Sequence, residues 1–251
     1  MKAKISDQAR ASDTTLLEEV GKPAPQNKTT QAKAGAAGWL VPAGLLVLSF
    51  IPVAAGAFRL TQLAGGVAIT PESARFFASP LPVLLHIVSF TLYALLGAFQ
   101  FAQGFRRRRP AWHRIAGRVL IPVGLAVALS GLWMTLFYPW PQGDGVMLYS
   151  LRLVFGSLML LSILCGTFAI RRRDFVQHGH WMMRGYAVGL GAGTQALTQL
   201  LWVLLFGKPD ELAKALLMGA GWVINLAVAE WIIRRRPTHR VCPASTPVSP
   251  Q

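Results

Sequence analysis

Residues 148–170 read LYSLRLVFGSLMLLSILCGTFAI, and Arg171-Arg172-Arg173 follow at once. Arg152 is the only charge in that run. A helix rises about 1.5 Å per residue and the hydrocarbon core of a bilayer is about 30 Å thick, so about 20 apolar residues cross it. The run reads as a membrane span that stops at a cluster of cations. Five more stretches read the same way, at 39–58, 81–105, 115–138, 182–206 and 212–233. The expected fold is an all-α membrane protein, six transmembrane helices in one bundle with disordered cytoplasmic tails. Its parts are a tail at 1–37, a transmembrane domain at 38–234 and a tail at 235–251.

The chain has 251 residues, 53% of them hydrophobic, and a formal net charge of +15. Such a charge can signal nucleic acid, but that needs a contiguous basic surface on a folded domain. Here the cations sit at the ends of apolar runs, where they orient a membrane protein. Twenty of the 25 Lys and Arg fall in the first tail, the 106–118 region, the 171–184 region and the last tail; Arg59, Arg75, Arg152, Lys208 and Lys214 do not. We expect both termini in the cytoplasm of a bacterial inner membrane, anionic lipids as partners and no nucleic acid. No small-residue cleavage site follows the first run, which we read as an uncleaved span. Cys165 lies in a span and Cys242 in a tail, so no disulfide is expected.

In lipid, small and polar residues mark the inward face of a helix. On the second segment His86, Phe90, Tyr93, Gly97, Gln100 and Gly104 lie within about 40° of one line. That stripe is either a packing seam or one wall of a polar cavity. Gly117, Gly124 and Gly131 recur every seven residues on the third segment, a pattern for close helix packing. Pro52 and Pro122 lie inside spans that a membrane helix can carry on past them. On the fifth segment His180, Arg184, Ala187, Gly191, Thr194 and Thr198 align, with Gln195 alongside. On the sixth, Glu230 and Arg234 are four apart and expected to pair. Lys214 and Asn225 read there as anchor and glue.

A cation at membrane depth is costly and seldom idle. Arg152 and His86 are expected at similar depth near the outer face, where together they can hold an anion, a quinone carbonyl or a haem propionate. The plainer reading has Arg152 snorkelling and His86 hydrogen-bonded in the core. Near the cytoplasmic face, Trp112-His113-Arg114 and His178-Gly179-His180-Trp181-Met182-Met183-Arg184 bring histidines and arginines to one level. Two imidazoles from separate helices can ligate haem iron, so haem b held by His113 and His178 is one candidate cofactor. No set of ligands for zinc is apparent. The chain has no Walker-type glycine loop, no His-Glu-x-x-His and no paired carboxylates within a span.

Leu85-His86 with Gly97-Ala98-Phe99-Gln100-Phe101, then Trp112-His113-Arg114 with Gly117-Arg118, then His178 with Trp181 to Ala187, form an ordered series. The series resembles the bacterial membrane-protein family catalogued as domain of unknown function 2306, over about residues 80–206. The resemblance implies a helical membrane bundle whose recurrent positions correspond to His86, Gln100, His113, Arg114, Arg118, His178 and Arg184. It brings no established reaction. An arginine that the family pattern places about a dozen residues after Arg184 is replaced here by Thr194-Gln195-Ala196.

The candidate site is thus His86, Gln100, His113, Arg114, Arg118, Arg152, His178 and Arg184. The expected function is binding of a redox cofactor or quinone-like ligand between segments two and five. The alternatives are a non-catalytic scaffold or assembly partner, whose His and Arg only pack and anchor, and a small-solute transporter. Inverted repeats, which would favour a transporter, are not evident.

Overall fold

The computed structural model describes residues 28–65 and 68–235, and all regular structure among them is helical. The helices are α1 (Lys28–Ala64), α2 (Ala74–Ala78), α3 (Pro80–Gln100), α4 (Gln103–Arg108), α5 (Pro110–Phe137), α6 (Val146–Arg171), α7 (Phe175–Gly189), α8 (Gly191–Phe206) and α9 (Glu211–Arg235). Six stretches are long and apolar enough to cross a membrane: Trp39–Ala64, Pro80–Gln100, Pro110–Phe137, Val146–Arg171, Phe175–Phe206 and Glu211–Arg235. The protein is an all-α membrane protein with six spans. Residues 1–40 and 41–251 form separate compact units. Of the first, the described part is the opening of α1; apart from that opening, everything below concerns the second.

Helix α1 begins at Lys28, inside the stretch expected to be a tail. Alanines 32, 34, 36 and 37 are strong helix formers and favour helix over that stretch. The rest of that tail, the one after Arg235 and Cys242 lie outside the described residues. Cys165, in α6, has no disulfide partner among the described residues. Both Pro52 and Pro122 are accommodated inside α1 and α5.

Three of the boundaries that differ from the apolar runs do so for a plain local reason. The second span stops at Gln100, and the short α4 carries Arg106 to Arg108. Arg109 precedes Pro110 and is pushed out of helical geometry, at φ −129° and ψ 63°. The third span begins five residues early because Pro110, with its preset φ, opens α5. The fifth begins at Phe175, where the Asp174 carboxylate accepts the Gln177 N–H at 2.9 Å. It is then interrupted at Leu190, between α7 and α8. Here Gly191 lies against the Trp222 ring and Gly193 against the Leu48 carbonyl, approaches that no side chain would permit.

Helix pairs α3·α5, α5·α6, α6·α7 and α8·α9 build the bundle. The centre of its core is Phe90, Tyr93, Ile163, Met159, Tyr186 and Leu190. On α3, Leu81, Leu85, Val88, Leu92 and Leu95 are exposed, as befits a lipid-facing surface, while Phe90, Tyr93 and Gly97 are buried. The glycine repeat on α5 divides. Gly124 receives the Tyr93 ring and Gly131 the His86 ring, whereas a Cβ on Gly117 would meet nothing within 4 Å. Only two of the three glycines are packing positions. Gly104, expected on the α3 stripe, falls beyond the break in α4 and is exposed.

Candidate functional site

His86 turns from α3 towards α5. Its Nδ1 lies 3.1 Å from the Val127 carbonyl and 3.1 Å from Ser130 Oγ. The Ser130 hydroxyl gives its own proton to the Ala126 carbonyl at 2.5 Å. Nδ1–H must then be the donor to Val127, which leaves Nε2 a lone-pair acceptor with no partner among the described residues. His86 forms one wall of a cavity of about 340 Å³, lined also by Arg75, Phe90, Tyr149, Arg152, Gln195 and Trp222.

The 138–145 loop closes this cavity with Tyr138, Pro139, Trp140, Pro141 and Asp144. Tyr138 donates its hydroxyl to the Ser79 carbonyl at 2.5 Å. The Asp144 side chain is only 3% exposed and sits between two cations, Arg152 Nη1 at 2.6 Å and Lys214 Nζ at 2.6 Å. Burial resists ionisation of Asp144, but the Lys214 ammonium and Arg152 guanidinium outweigh it and hold the carboxyl below its ordinary range. Arg75 gives Nη1–H to the Pro139 carbonyl at 3.3 Å and lies over the Phe76 ring, with Arg59 over the same ring. Its Nε is buried without a partner among the described residues. Burial, together with Arg152 and Arg59, lowers its proton affinity, with Asp144 acting the other way. Cations outnumber carboxylates in the lining, so an acceptor or anion placed there gains.

At the other end of the bundle His178 Nδ1 lies 2.9 Å from the Gly166 carbonyl. His113 is within electrostatic reach of Arg106 and Arg114, and its Nδ1 is buried without a partner among the described residues. Gln100 Nε2 is likewise buried and unpartnered among the described residues. Arg114 and Arg118 are exposed. His86 and Gln100 are fourteen residues apart on α3, about 21 Å along its axis. No small ligand touches both, so seven of the eight candidate residues divide between the two ends.

Arg184 belongs to neither group. Its guanidinium makes a bidentate pair with Glu230, Nε to Oε1 and Nη2 to Oε2, and stacks on Trp181. The expected pairing of Glu230 with Arg234 is replaced by this α7–α9 clamp. A carboxylate on α9 meets a planar two-toothed donor across the interface, a better match than a flexible neighbour four residues away. The rest of the fifth-segment stripe also faces α9. Thr194 donates to Asn225 at 2.7 Å, Asn225 to the Ala187 carbonyl at 3.1 Å, Gln195 to the Met218 carbonyl at 3.0 Å and Thr198 to the Leu217 carbonyl at 3.0 Å. Lys214, read as an anchor, is instead half of the Asp144 clasp.

Arg75, Asp144, Gln195, Lys214 and Trp222 were absent from the sequence-based site. Asp144 did carry a signal: it is the one acidic residue between the third and fourth spans, and glycines flank it. The family model described as Predicted membrane protein (DUF2306) matches residues 83–233. No curated protein and no solved structure matches the chain.

Proposed function

This chain belongs to the DUF2306 family of membrane proteins, and from that premise and the geometry above we propose that it binds a quinone-like ligand in the cavity beside His86. The observation that carries the reading is a ring-sized space lined by His86, whose hydrogen bonds all run through Nδ1, and by Arg75, whose Nε has no partner among the described residues. At about 340 Å³ the space lies at the small end of ligand pockets, which suits a single-ring head group better than a haem macrocycle. Arg75 can donate to a ring oxygen, and His86 Nε2 can accept from a ring hydroxyl. Phe90 and Trp222 offer apolar faces to the ring.

Trp140 and Trp222 line the cavity and are intrinsic reporters. A short-chain benzoquinone should quench tryptophan fluorescence saturably. His86→Leu combined with Arg75→Gln should weaken the binding about tenfold or more, at the usual worth of one or two hydrogen bonds. Identical quenching of both proteins, as simple partition into micelles would give, sinks the reading. The haem b form, on His113 and His178, draws support from the Nδ1 contact of His178 with Gly166, which leaves Nε2 available as an axial ligand. An absorption spectrum without a Soret band removes it.

A second reading, a scaffold or assembly partner, draws support from the Arg184–Glu230 clamp and the α8–α9 seam, where polar groups hold helices together. It stands if no quinone binds. In either case the 20-to-5 division of Lys and Arg favours both termini in the cytoplasm of a bacterial inner membrane. A reporter active only in the cytoplasm should work after Arg240 and fail after Gly143. Activity at both sites would refute that topology.

A further inference from the structure

Where α3 ends and α5 begins, the turn between them is flanked by two nitrogens unpartnered among the described residues, Gln100 Nε2 and His113 Nδ1. A buried donor left unmet is expensive, and such an atom usually marks a missing partner. The register of α3 on α5 sets His86 against Gly131 and Tyr93 against Gly124. The same antiparallel register brings Gln100 level with Gly117, about 6 Å deeper along α5 than His113. A Cβ on Gly117 would meet nothing within 4 Å, so there is open space at that level.

The electrostatics of the turn are one-sided. Arg106 and Arg114 lie within electrostatic reach of His113. Asp174, the acid nearest His178 in sequence, caps α7 through the Gln177 N–H. Helix α5 starts with no side-chain cap, which adds its own positive end. Phe99, Phe105 and Trp112 hold the turn in shape, with Phe105 and Trp112 at 4.9 Å and Phe99 and Trp112 at 6.2 Å between ring centroids. Two membrane spans end here, which is the depth of lipid head groups.

We propose that this turn is a binding site for an anionic phospholipid. Its phosphate lies among Arg106, Arg114 and the His113 imidazole, and an ester carbonyl of the same lipid accepts from Gln100 one turn deeper. The vertical order of the groups favours a lipid over free phosphate. A phospholipid carries its ester carbonyls a few ångströms below its phosphate, whereas inorganic phosphate at the arginines leaves Gln100 unmet.

The test uses full-length protein in a neutral detergent, with native mass spectrometry counting retained lipid. Phosphatidylglycerol should be retained in preference to phosphatidylcholine. The Arg106→Gln, Arg114→Gln double variant should weaken phosphatidylglycerol retention by about 25-fold, at about fivefold per basic side chain near the surface. Gln100→Leu should also weaken it, with both surface arginines in place. Inorganic phosphate at the same phosphate concentration should not displace the lipid. Equal retention of phosphatidylcholine, wild-type retention by either variant, or displacement by inorganic phosphate overturns the proposal. His86→Leu should retain phosphatidylglycerol as the wild type does, so this site and the quinone reading stand or fall separately.

Discussion

Asp144→Asn should destabilise the protein by about 2 kcal/mol, because it leaves two cations beside a neutral amide. The cost is below that of a fully dry pair, since Arg152 and Lys214 keep 31% and 26% side-chain exposure. Thermal unfolding in one detergent at neutral pH is the measurement. Adding Arg152→Gln to Asp144→Asn should cost less than the two separate losses together, as it removes a cation that no longer has a partner. The pH dependence has a definite sign. The folded carboxyl ionises below its ordinary range, so its stabilisation is complete above that range and is lost as pH falls through the lowered folded value. Asp144→Asn should erase that acid-side loss. An unfolding midpoint equal to wild type at neutral pH, with the acid limb intact, would show that the clasp contributes nothing.

Alanine at Gly97 or Gly124 should cost about 1–3 kcal/mol, the range for overpacking a tight core. At Gly97 the added methyl would overlap the Tyr186 ring, which cannot swing aside easily. Its hydroxyl donates to the Ala94 carbonyl at 2.8 Å, and the ring packs against Phe101 at 4.9 Å and Tyr93 at 5.5 Å. At Gly124 the methyl would sit 2.7 Å from the Tyr93 ring and 2.9 Å from Ile163. Gly117→Ala is the control on the same helix as Gly124. With open space around it, it should be neutral or gain up to about 1 kcal/mol from helix propensity. If all three variants unfold at one temperature, these close approaches do not limit packing.

The sequence determined the solvent of this protein and, through it, the number of spans. Whether a run such as 148–170 crosses a bilayer depends on length and apolarity alone, both properties of consecutive residues. The polar stripe of α3 was legible for a related reason. Helical spacing puts His86, Phe90, Tyr93 and Gly97 on one face, and lipid leaves that face no favourable place except against another helix.

The tertiary structure alone decided which polar groups meet. Spacing can say that Glu230 and Arg234 are within reach; it cannot say that Arg184 on another helix presents a better-shaped donor. Asp144 stood in a loop with no periodicity to place it, and became the centre of the cavity wall only when α6 brought Arg152 and α9 brought Lys214. The breaks at Gln100 and Leu190 were invisible to hydropathy because the residues on both sides are apolar. Crossing a membrane is decided along the chain, one segment at a time. A site is decided by which segments pack side by side, because charges and hydrogen bonds act over a few ångströms between residues far apart in sequence.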